Sequence, residues 1–186
     1  MARPVKYDLI KILDDAMELF WEKGFENVSI VDLILHTGIN RSTMYSLFSD
    51  KEALFKEALH HYYAKRASMM IGILQTNTGK KGVELFLGKF IFREEFRACL
   101  FSICMGKGDF MREEVFDVPK KFFLDLRQQL EKNLMDASAN GEFNGNAKAI
   151  ALTIVTIVHG FSIHGKYNHQ KEDGELIIQT ILALLK

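Results

Sequence analysis

At 186 residues, 48% of them hydrophobic, the chain is long enough to bury a substantial core. Its 24 Lys and Arg are matched by 24 Asp and Glu, which sets it apart from stand-alone nucleic-acid binders, usually strongly basic. Two cysteines are too few for a disulfide scaffold, and Met1 to Lys6 lead into a charged amphipathic segment rather than a signal peptide, so a reducing, cytoplasmic setting is expected.

Two prolines and few alternating β-branched runs make helix the dominant expectation. Arg3, Lys6 and Tyr7 form a short basic start, open to reading as an arm or as a frayed terminus. The first helix is expected to bury Leu9, Ile10, Leu13, Met17 and Phe20, with Lys11, Asp15, Glu18 and Glu22 in water, and to end at Lys23-Gly24. Ser29 followed by Asp32 is a capping box. The helix it opens stops at Thr37-Gly38, where glycine suits a left-handed terminus. Asn40 is a good N-cap for the next helix. Spacing places Met44, Leu47 and Phe48 on one face of that helix and turns Arg41, Ser42, Tyr45 and Ser46 outward. Ser49 with Glu52 reads as a further capping box. A short helix, a glycine turn and a second helix with a small, polar, aromatic outer face make up a DNA-reading helix-turn-helix.

The surrounding string EKGFENVSIVDLILHTGINRSTMYSLFSDKEALF, residues 22 to 55, closely resembles the N-terminal domain of the TetR family of transcriptional regulators. The shared points are Phe20, Lys23-Gly24-Phe25, Ser29, Asp32-Leu33, Gly38-Ile39, Thr43, Tyr45, Phe48, Lys51-Glu52 and Leu54. The match covers about the first third of the chain; the rest is similar to the family only in layout. The resemblance implies an all-α homodimer that binds palindromic double-stranded DNA and releases it when a small-molecule effector binds. It implies an N-terminal helix-turn-helix domain, residues 1 to 51, and a larger helical regulatory and dimerisation domain, residues 52 to 186. Tyr45 matches a position that contacts phosphate in the family, Ser29 and Lys51 stand at helix starts that hold the DNA backbone there, and a basic arm like Arg3 to Tyr7 sometimes touches DNA. From their own chemistry, Arg41 is suited to a guanine edge or a phosphate, and Ser42 and Thr43 to base edges or, through the threonine methyl, to thymine; Ser46, turned outward with them, is a further candidate DNA contact. Val28 and Val31 depart from the family pattern, in which hydroxyl or charged residues are common at those positions.

From Lys51 a long helix is expected to reach about Leu74 and to leave at Asn77-Thr78-Gly79. The adjacent His60 and His61 diverge on a helix and read as surface or hinge residues rather than metal ligands. Phenylalanines then crowd the chain at Phe86, Phe90, Phe92, Phe96 and Phe101, and again at Phe110, Phe116, Phe122 and Phe123. Most fill a core at this spacing. So dense a Phe and Met lining also suits a pocket for an apolar or aromatic molecule, for which Phe86, Phe90, Phe101, Ser102, Met105, Phe123, Thr156 and His159 are the candidates. Cys99 and Cys104 are too far apart on one helix for a disulfide. The segment RACLFS resembles a cysteine motif of one family branch in which the thiol is sometimes a sensor, making Cys99 the candidate; the alternative is a small buried hydrophobe.

Pro119 should kink the next long helix or reset its start, Asn140-Gly141 should end it, and Asn146 should cap another. That helix is apolar almost all round, although its run from Ala149 to Val158 is short for a bilayer. One face in the core and one against a partner is the expectation. With the last helix it resembles the family's four-helix dimer interface, for which Ile154, Ile157, Val158, Phe161, Ile177, Ile181 and Leu185 are the candidates. No nucleophile elbow, phosphate loop or metal-ligand spacing stands out, so neither an enzyme nor a bound cofactor is expected. The alternative function is a helical small-molecule-binding or interaction module without DNA recognition.

Overall fold

The computed structural model describes residues 7–92, 97–106, 111–165 and 170–185, and among these every regular element is helical. Arg3, Lys6, Phe96 and Phe110, which figured in the sequence reading, lie outside the described residues.

Three short helices form the N-terminal bundle: α1 (Leu9–Lys23), α2 (Ile30–Thr37) and α3 (Arg41–Leu47). Their ends are set locally. Ser29 Oγ accepts from the Asp32 N–H at 3.1 Å while the Asp32 carboxylate accepts from the Ser29 N–H at 2.9 Å. The Ser29 hydroxyl first, then the Ser29 N–H, both donating to it, hold the Asp32 carboxyl below the usual range. Gly38, at φ 72°, turns the chain out of α2 in the left-handed region, where a side chain would be strained. Asn40 Oδ1 accepts from the Thr43 N–H at 2.8 Å and starts α3.

The buried stripe of α1 is Ile12, Ala16, Met17, Leu19, Phe20 and Trp21. Leu9 and Ile10, expected inside, are exposed, because the first turn of α1 projects beyond the bundle. The next helix is capped by Asp50, which accepts from the Ala53 N–H at 2.8 Å, rather than by Ser49. Asp50 competes better because a carboxylate is the stronger acceptor at a helix N-terminus.

That helix runs as α4 (Lys51–Tyr62), widens into a π-helical turn at Tyr63–Ala67, and continues as α5 (Ser68–Thr76). The wide turn directs Lys65 and Arg66 back toward α1, where they meet Asp14 at 2.5 Å and Glu18 at 3.3 Å. His61 Nε2 also reaches Asp14, at 2.7 Å. Lys65 first, then His61, keeps the Asp14 carboxyl below its ordinary range against the opposing effect of burial. Phe55 packs on Phe20 and Phe25 at centroid separations of 4.8 and 5.0 Å, so the first half of α4 is physically part of the N-terminal bundle.

The remainder comprises α6 (Gly79–Ile91), α7 (Leu100–Met105), α8 (Asp117–Ala139), α9 (Ala147–Gly165) and α10 (Lys171–Ala183). Pro119 sits in the first turn of α8, where its missing N–H costs nothing, and a 3₁₀ turn at Glu113–Phe116 precedes it. Arg112 fastens that turn to the start of α4, its guanidinium donating to Glu52 and Asp50 at 2.7 Å each. Asn146 caps α9 through the Ala149 N–H at 2.9 Å. At 19 residues α9 is longer than the apolar run within it and, by length and composition alone, long enough to cross a membrane. Its inner side, however, packs on α7 and α8. Helix α10 approaches α6 closely at Gly174, where a Cβ would come within 2.3 Å of Ile91 Cγ2.

Candidate nucleic-acid interface and effector cavity

The outer face of α3 carries Arg41, Ser42, Tyr45 and Ser46, all exposed, as the helical spacing predicts. Met44 and Phe48 anchor the helix from beneath, but Leu47, expected with them, is 42% exposed. Thr43, expected among the outward contacts, is buried, its hydroxyl 2.7 Å from the Tyr7 hydroxyl. Position i+2 from Arg41 lies across the helix, so it faces the bundle. The hydroxyl of Ser29 is exposed but already engaged with Asp32.

Lys51, expected at the DNA backbone, is turned inward. Its Nζ donates to the carbonyls of Phe25 and Val28 at 3.0 Å each and lies 4.1 Å from the centroid of the Phe25 ring. Burial lowers its pKa, against the pull of Glu26 and Glu52. The ammonium therefore clamps the loop between α1 and α2. On α2, Val31 is 58% exposed, apolar where the family pattern favours hydroxyl or charged residues, and Leu35 is 77% exposed; Val28, the other departure from that pattern, is buried.

A cavity of about 630 Å³ opens where α1, α5, α6 and α8 meet. Of the eight residues proposed for a pocket, Phe86 and Phe90 line it. The others are placed differently. Phe101 is fully buried between Tyr62 and Phe122, at 4.9 and 5.1 Å between centroids. Ser102 is buried beside it, and Met105 and Phe123 pack in the core. The His159 ring lies tilted against Phe123, 3.7 Å between centroids, and burial lowers its pKa, favouring the neutral ring. Thr156 is exposed on the far side of α9, bonded to the Leu152 carbonyl at 2.9 Å.

The walls that sequence reading missed are Trp21, Tyr62, Arg66, Lys89, Arg97, Phe122 and Leu126. Trp21 comes from α1, and its Nε1 donates to the Ala98 carbonyl at 2.6 Å, a contact spanning 77 positions. Arg97 lies over the Trp21 ring, 3.9 Å from its centroid, and is paired with Glu18 of α1. Such long-range neighbours leave no periodic signal. Cys99 also lines the cavity, with the Tyr62 hydroxyl 3.7 Å from its sulfur. Cys104 is buried away from it, its thiol pushed up to about 12 by desolvation. Both cysteines are free.

On α9 and α10 the assignment of faces needs correction. Ile154, Val158, Phe161, Ile181 and Leu185, expected at a dimer interface, are buried within the single chain, and Val158 lines the cavity. Ile157 and Ile177 are half-buried at a shallow groove between the two helices, with Gly160, His164, Asp173 and Leu176. The apolar side chains that face outward are Leu152, Ile163, Leu176 and Leu184, between 46% and 63% exposed. No group of three or more potential metal ligands forms among the described residues.

The family model described as "Bacterial regulatory proteins, tetR family" matches residues 12–58, extending past residue 51 into the half of α4 that packs on α1. The uncharacterised HTH-type transcriptional regulator YezE of Bacillus subtilis is 37% identical over 155 residues, which cover 78% of this chain and 77% of that protein. The HTH-type transcriptional repressor ComR of Escherichia coli is 41% identical over 67 residues, 36% of this chain and 32% of the repressor. Among solved structures, a cysteine mutant of the TetR family transcriptional regulator CifR, complexed with 26-base-pair double-strand operator DNA, superposes with a TM-score of 0.86 over the whole of both chains at 23% identity. That likeness speaks for the fold. Identity to YezE over more than two thirds of both chains, the family match on the N-terminal bundle and the exposed face of α3 lead to one conclusion: the chain belongs to the TetR family of transcriptional regulators.

Proposed function

We propose that the protein is a cytoplasmic repressor that binds palindromic operator DNA as a homodimer and lets go when a small molecule occupies the cavity beside Trp21. The observation that carries this reading is the outer face of α3: one cation, two serines and a tyrosine, all exposed, on a helix held by buried Met44 and Phe48. Hydrogen-bonding groups on a rigidly seated helix suit a major groove. Arg41, Ser42, Tyr45 and Ser46 are proposed as the contacts; Lys51 and Thr43 support them from beneath.

Two such helices must lie about 34 Å apart to enter successive grooves. A two-fold pairing of α9 and α10 through Leu152, Ile163, Leu176 and Leu184 is the proposed means. The cavity is of a size suited to a small ligand. Cys99, at its wall, is the proposed thiol for any redox response; if Cys99→Ser leaves oxidant-induced release of DNA intact, that role is lost.

The test is a mobility shift with the DNA upstream of the protein's own gene, repeated between low and physiological salt. Retarded DNA with affinity falling as salt rises is expected, with a shallower slope than for a basic domain. No shift, or an affinity indifferent to salt, overturns the proposal.

A further inference from the structure

Resting on the reading of the cavity as an effector site, we infer that its ligand is an amphipathic organic anion, an acyl or aryl carboxylate that takes Arg97 away from Glu18. The cavity is two-sided. Phe86, Phe90, Phe122 and Leu126 give it an apolar floor, while Arg66, Lys89 and Arg97 line it as cations. A hydrocarbon tail with one negative end matches that division. Guanidinium groups favour carboxylates through paired, charge-assisted hydrogen bonds.

Two of these cations, Arg66 and Arg97, also hold the N-terminal bundle. Glu18 of α1 pairs with both Arg97 and Arg66, and the two guanidiniums lie 3.9 and 5.3 Å from the centroid of the Trp21 ring. Trp21 itself is tied to the Ala98 carbonyl. The cavity wall and the fastening of α1 are thus the same few groups. A carboxylate arriving at Arg97 competes with Glu18 for it and leaves the Glu18 carboxylate with its longer pair to Arg66, at 3.3 Å. Helix α1 packs on α2 and α4, and α2 packs on α3, so a loosened α1 alters how α3 is presented. The ligand acts only through this difference in affinity between the fastened and loosened states.

Trp21 is the sole tryptophan of the chain, so its emission reports occupancy directly. The full chain is titrated with octanoate and, separately, with octanamide, which has a closely similar tail and no charge. Octanoate should bind roughly tenfold more tightly, the usual advantage of a charge-assisted bond. Arg97→Gln should remove that preference and leave octanamide affinity unchanged. Glu18→Gln, which deletes the competing carboxylate, should strengthen octanoate binding, an effect that a merely structural role for Glu18 does not produce. Equal affinities, no binding of either probe, or octanoate binding unimproved by Glu18→Gln overturns the inference. Anisotropy of labelled upstream DNA separates the two levels. Octanamide releasing DNA as well as octanoate does, at equal affinity, overturns the anion assignment and leaves the effector reading standing. Octanoate selected by charge yet bound without loosening DNA overturns the effector reading, and the displacement of Glu18 with it.

Discussion

The outer face of α3 and the outer faces of α9 and α10 are both left uncovered by the chain, yet they differ in kind. Helix α3 exposes Arg41, Ser42, Tyr45 and Ser46, groups that bond to polar edges and phosphates. The C-terminal pair exposes Leu152, Ile163, Leu176 and Leu184, groups that gain only by leaving water. The first face suits a wet, charged partner, the second a like apolar surface. Exposure alone therefore says little; the chemistry of what is exposed is what sets the proposed DNA-facing helix apart from the proposed subunit-facing pair.

The sharpest way to break this contrast is to charge the apolar face. Leu176→Glu should turn the protein into a monomer by light scattering and weaken operator binding by on the order of 100-fold, the loss of a linked second half-site. A dimer that survives would leave the contrast without support. Truncating the polar face should act differently. Arg41→Ala or Tyr45→Ala is expected to weaken DNA binding by about 10- to 100-fold, the range of a lost base or phosphate contact, with dimerisation and Tm unchanged. Calorimetry and anisotropy on the same preparations would check both halves of that statement.

Smaller effects test whether α3 is presented by its caps. Asn40→Ala removes the acceptor for the Thr43 N–H and should cost about 1 kcal/mol, or about 2–4 °C in Tm. It should lower DNA affinity less than Arg41→Ala, since the outward groups remain. The smallest effect belongs to the inner side of α9. Burial depresses the folded-state pKa of His159, so the unfolded chain binds the proton more readily. Stability is then complete above the ordinary histidine value of 6.5 and is lost as pH falls through the depressed folded value. Tm at pH 5.5 should lie below that at pH 7.5, and His159→Phe should reduce the difference.

Much of the helix-turn-helix was legible because its signals are local. Ser29 and Asp32, Gly38, Asn40 and Asn146 act within three or four residues, the range over which a cap or a turn closes its own hydrogen bonds. Periodicity also separated Arg41, Ser42, Tyr45 and Ser46 from Met44 and Phe48. It was less reliable at helix ends, where Leu9, Ile10 and Leu47 reach past the neighbour that would have covered them.

By itself, then, the sequence determined the caps that open α2, α3 and α9, the ends of α1, α2 and α8, and the polar face of α3, because each rests on bonds between near neighbours. Tertiary structure alone decided that Lys51 points inward to the Phe25 and Val28 carbonyls and that Ile154 and Val158 face the core while Leu176 faces out. It also decided that Trp21 and Arg97, 76 positions apart by their numbers, share one cavity wall. The reason is physical: a helix of mixed or uniform apolarity has no preferred side until another helix packs against it, and that choice is made by segments distant in the chain.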